Sequence, residues 1–100
     1  MYKPQDYEAF LDLLHQAVYE VDELRACIEE DMEEMERYLP FLEPLDAQLR
    51  QLYEVACAGV LEGFGQGRDL PYMTLFARFE RDIPFRELLR TINAAYREGL

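Results

Sequence analysis

Glycine is absent before Gly59 and proline between Pro4 and Pro40, so nothing in the first third of this chain forces a helix to stop. Basic side chains are scarce. Ten face 21 acidic ones in 100 residues, for a formal charge of −11 and a pI near 4.4, which excludes direct nucleic-acid binding by bulk charge. No apolar run approaches the roughly 20 residues that span a membrane. The start, MYKPQDYEAF, has no basic-then-apolar leader, so a cytoplasmic location without membrane contact is expected. A single histidine and two cysteines leave little material for a metal centre or a disulfide framework. What is present is apolar bulk. Half the residues are hydrophobic and 13% aromatic, too many for a disordered acidic tail and enough for a small core in one domain, 1–100.

The apolar residues follow a seven-residue period. Tyr7, Leu14, Val21, Ile28 and Met35 occupy one heptad position, and Phe10, Ala17, Leu24 and Tyr38 the other, flanked by Leu11, Val18, Met32 and Leu39. Only Asp31 interrupts the seam. This pattern predicts one helix over about 5–39, which would be about 50 Å long. Pro40 should end it, Pro40–Pro44 should form a turn, and Pro44 should open a second helix over about 44–62 with the stripe Leu45, Leu49, Leu52, Ala56 and Val60. Gly63-Phe64-Gly65-Gln66-Gly67-Arg68 reads as a flexible connector. A helix over about 70–81, capped by Asp69, and another over about 83–98, opened by Asp82 and Pro84 and closed by Gly99, complete the chain. No segment alternates with period two. The expected class is all-α: a bundle of about four helices, the long first one in an antiparallel hairpin with the second.

A hairpin centred on residues 41 and 42 pairs residues whose numbers sum to about 83. Helix 2 would then cover only residues 21–38 of helix 1, leaving the first half to the two C-terminal helices or to a homodimer. The same register sets Cys27 nearly opposite Cys57, with reduced thiols expected in a cytoplasm.

Charge is distributed unevenly. Fourteen acids up to Asp46 face Lys3, Arg25 and Arg37, while beyond it seven arginines cancel seven acids, so the whole net charge lies on the first helix and its turn. Asp22, Glu29 and Glu36 form one outward row, Glu23 and Glu30 the next, with Glu33 and Glu34 beside them. Such rows keep a small protein soluble; they also suit the arginines and lysines of a basic partner. The expectation is therefore a non-enzymatic interaction protein, acting as adaptor, chaperone, inhibitor or accessory subunit. Asp22, Glu23, Glu29, Glu30, Glu33, Glu34 and Glu36 would meet the partner, and Tyr72, Phe76 and Phe79 would supply apolar contact if the glycine-rich connector lets the last helices swing. The alternative is a nucleic-acid mimic lying in the basic groove of a DNA-binding protein. A third reading takes Asp12-x-x-His15 as a carboxylate/histidine metal site, against which stands the lack of a second histidine. The glycine-rich stretch lacks the preceding strand and the Lys-Ser/Thr ending of a phosphate loop, and the acidic run lacks the glycine turn of a calcium loop. No catalytic residue and no cofactor is expected.

Overall fold

The computed structural model describes residues 6–30 and 36–99, and every regular element among them is helical. Helix α1 covers Tyr7–Glu30, a short 3-10 turn Glu36–Tyr38 leads into α2 over Leu39–Cys57, and α3 covers Met73–Phe79, followed by a 3-10 turn Glu80–Asp82 and α4 over Arg86–Glu98. Asp6 starts α1 by accepting a hydrogen bond from the Ala9 amide at 2.8 Å, which satisfies one of the free donors of the first turn. The seven-residue period translates directly into burial. Phe10, Leu14, Ala17, Val21, Leu24 and Ile28 are all in the core. Along its roughly 36 Å, α1 accounts for most of the 41 Å long axis of the molecule.

Helix α2 begins earlier than expected. Pro40 lies in the first turn of α2, where its missing N–H costs nothing, and Pro44 is carried inside the same helix. Two prolines four residues apart both satisfy the rule for a helix start, and the upstream one is where α2 begins. Residues 31–35, the last part of the expected long helix together with Asp31, Met32 and Met35, lie outside the described residues. The earlier start of α2 goes with a shifted hairpin register. The Tyr7 hydroxyl donates to the Ala56 carbonyl at 2.7 Å, Arg25 reaches Glu43 and Asp46, and Arg50 reaches Asp22, so facing residues sum to between 63 and 72. Helix α2 therefore runs the length of α1, and α4 also packs on α1. Cys27 and Cys57 are not opposed; both are free and exposed.

Helix α2 also ends sooner than predicted. Gly59 takes a left-handed conformation, φ 74°, and the amides of Gly59 and Val60 close onto the Ala56 and Val55 carbonyls. This paired closure is a strong helix stop, and it falls four residues before Gly63. The segment from there to α3 is not a loose connector. The Gly65 amide donates to the Tyr96 carbonyl at 2.7 Å and the Gly67 amide to the Arg97 carbonyl at 3.0 Å, while the Gly99 amide closes on Ala95 at 2.9 Å. These carbonyls belong to the last turn of α4, which has no intrahelical donors of its own. The glycine loop is thus the cap of α4. Phe64 fastens it further, packing its ring on Tyr7, Phe10 and Tyr96. Helices α3 and α4 accordingly have no free hinge here.

Asp69 does not cap α3. Its carboxylate accepts from the Asn93 amide at 3.0 Å and from Arg97 at 2.6 Å, while the buried Asn93 side-chain oxygen accepts from the Leu70 amide. The Asn93 hydrogen bond, then Arg97, hold the Asp69 carboxyl below its ordinary value of 3.8. A depressed folded-state value contributes stability above the ordinary carboxylate range and loses it as pH falls through the folded-state value. Asp69→Asn is therefore expected to show a smaller drop in urea midpoint between about pH 5 and pH 2 than the parent chain. Equal drops would mean that this contact does not contribute to acid sensitivity.

Candidate docking face and groove

The acidic rows of α1 have two different environments. Asp22 belongs to the flank that meets α2: its carboxylate accepts from Arg50 at 2.5 Å and Arg25 at 3.4 Å. Arg25 also reaches Glu43 at 2.7 Å and Asp46 at 2.9 Å, and Arg50 reaches Asp46 at 2.8 Å. Asp46, nearly buried, holds both guanidinium groups. Hydrogen bonds to Glu43 and Asp46 raise the Arg25 guanidinium far above its ordinary value, so it stays charged throughout. Asp22 is thus part of the seam between the two helices and is not a free docking group.

The outer face differs. At 3.6 residues per turn, Asp12, Tyr19, Glu23 and Glu30 fall within about 40° of one another around α1. Glu23 and Glu30 are exposed and have no ion pair among the described residues; Glu29, exposed and also without one, falls within about 20° of Asp22 on the α2 side of the helix. Tyr19, 56% exposed, projects among them, and its hydroxyl is raised above its ordinary value chiefly by a hydrogen bond to Glu23. Glu36 is exposed in the 3-10 turn. Glu33 and Glu34 lie outside the described residues.

The expected apolar contact set is placed elsewhere. Tyr72 and Phe76 are core residues, and the Tyr72 hydroxyl donates to the Leu89 carbonyl. Phe79 is half-buried on Phe41, ring centroids 5.7 Å apart. A seven-residue α3 presents one short apolar face, and the core takes most of it. His15, on the flank of α1, packs its ring on Tyr53 at 5.6 Å, and no group of three or more His, Cys, Asp or Glu side chains converges among the described residues. Tyr53 in turn is hydrogen-bonded to Cys57, which raises its hydroxyl above the ordinary value.

Sequence reading missed a groove. About 350 Å³ opens between α2 and the segment that caps α4. Leu52, Val55, Leu61, Leu70 and Pro71 line it together with the buried Tyr72 and Tyr96, and Gln48, Gln51 and Glu62 are the polar residues of its lining. Gln48 Oε1 is sealed from solvent with no hydrogen-bond donor, an arrangement that typically costs about 1–3 kcal/mol. On α2 alone these residues form an unremarkable mixed flank, and only the arrival of Pro71, Tyr72 and Tyr96 from distant parts of the chain makes them a concavity. No helix among the described residues is long and apolar enough to cross a membrane. No protein-family model, curated protein or solved structure matches the chain.

Proposed function

We propose that this chain is a non-enzymatic interaction protein that docks a basic partner protein through the outward face of α1. The observation that supports this is the division of labour along that helix. Asp22, on the α2 flank, is neutralised by Arg25 and Arg50, whereas Glu23 and Glu30 on the outward face, and Glu29 beside Asp22, have no cation among the described residues. Their mutual repulsion is relieved when arginines or lysines of a partner come to lie between them. Tyr19 adds an exposed ring to the same face, suited to stacking against a guanidinium. Glu36, beyond the helix, extends the acidic surface, and Glu33 and Glu34 belong to the same proposed set.

Binding of this kind is salt-sensitive. Capture from the source cell's lysate with the parent chain and with the triple variant Glu23→Lys, Glu29→Lys, Glu30→Lys tests it. A stoichiometric basic partner should be held by the parent at low salt, released at high salt, and lost with the variant, whose affinity is expected to fall by at least about tenfold. A partner held equally by both chains overturns the reading. If duplex DNA displaces the chain from its partner, the face acts as a nucleic-acid mimic.

A further inference from the structure

We propose that the groove between α2 and the segment capping α4 binds a small organic ammonium ion with an apolar body. This site is independent of the α1 face: Gln48, Gln51 and Val55 lie on the flank of α2 roughly opposite Asp46, Arg50 and Tyr53, which meet α1. Its volume, about 350 Å³, is at the lower end of the range that holds small ligands, enough for one or two rings and a short chain.

The chemistry of the walls selects the charge. Leu52, Val55 and Leu61 give an apolar floor. The two tyrosines have already committed their hydroxyls, Tyr72 to the Leu89 carbonyl and Tyr96 to the Glu62 carbonyl, so neither supplies a free donor for an anion. Glu62 is the only ionised residue of the lining; it is exposed and has no cation partner among the described residues. No lysine or arginine lines the groove, so an anionic ligand would meet Glu62 with no opposing charge. Gln48 contributes an acceptor that lacks a donor, and turning its terminal amide toward the groove presents that oxygen to an incoming N–H.

Naphthylethylamine, naphthylethanol and naphthylacetate share an apolar body and differ in the charge of the head, which makes them suitable probes. Titrated into the full chain and followed by calorimetry and backbone amide shifts, the amine should bind at least about tenfold more tightly than the acetate, with the alcohol between them. The shifts should fall on residues 47–55, 61–62, 70–72 and 96. Glu62→Gln, which leaves the backbone carbonyl used by Tyr96 in place, should weaken the amine by about fivefold or more and leave the alcohol unchanged. Glu30→Gln removes the same charge from the α1 face and should change neither; its result separates a groove from general attraction to an acidic protein. The proposal fails if the acetate binds as well as the amine, if the shifts map to α1, if Glu62→Gln has no effect, or if none of the three binds. Occupancy by a basic amphipathic peptide with no free amine bound would make the groove a protein-docking site, and that too overturns the proposal.

Discussion

Gly63→Ala is expected to lower the unfolding free energy by about 3 kcal/mol, a large share of the total for a domain of this size. Gly63 sits at φ +80°, where a side chain costs about 1–2 kcal/mol. A methyl group there would also land well inside contact distance of the Tyr96 hydroxyl, which donates to the Glu62 carbonyl at 2.5 Å. Displacing that hydroxyl forfeits a part-buried hydrogen bond, a further 1–2 kcal/mol or about that. Gly67 provides the comparison. Its φ is +72°, but a Cβ there meets nothing within 4 Å, so Gly67→Ala should lose only the backbone contribution, about 1–2 kcal/mol. Urea unfolding of the two variants distinguishes a docked cap from a loose connector: equal losses would contradict the docking of Gly63 on α4.

Arg25→Met should cost about 2–3 kcal/mol and should cost less in concentrated salt. The substitution keeps much of the aliphatic length but leaves Asp22, Glu43 and Asp46 with Arg50 as their remaining cation in the network. Fully buried pairs lose about 3–5 kcal/mol when one partner is removed and exposed pairs under about 1 kcal/mol. Arg25, 29% exposed at its side chain, and Asp46, 12%, stand between those limits. Salt screens the residual repulsion among carboxylates, so the difference in urea midpoint between parent and variant should narrow at about 1 M sodium chloride. Arg25→Lys keeps the charge but not the fork that serves Glu43 and Asp46 together, and its loss should be intermediate. A salt-independent difference would assign the effect to packing.

The helical class and the burial of α1 were legible because they depend on local periodicity. Seven positions from Tyr7 to Ile28 repeat at three- and four-residue steps, and no other regular structure puts those on one face. Helix boundaries were less legible, for a local reason: Pro40 and Pro44 are equally good starts, and Gly59 and Gly63 equally available stops. One choice at each end moved the hairpin register by more than ten in the sum of facing residues, and with it went the pairing of Cys27 with Cys57. The acidic composition of α1 could be counted, yet its partition could not. Whether Asp22 or Glu23 meets an arginine depends on where Arg50 arrives, and that is a property of the register. The groove was invisible for a related reason, since Gln48, Pro71 and Tyr96 become neighbours only in the folded chain.

The glycine cap ties together parts of the chain some thirty residues apart. Fraying of the last turn of α4 releases the carbonyls of Tyr96 and Arg97, and with them the amides of Gly65 and Gly67. Gly99 rests its Cα close to Gly65, leaving no room for a methyl group between them. Opening the end of the helix therefore also breaks the loop's hydrogen bonds, so amide exchange in this terminal turn is expected to be slower than in a free helix end, by the free energy of opening the two together.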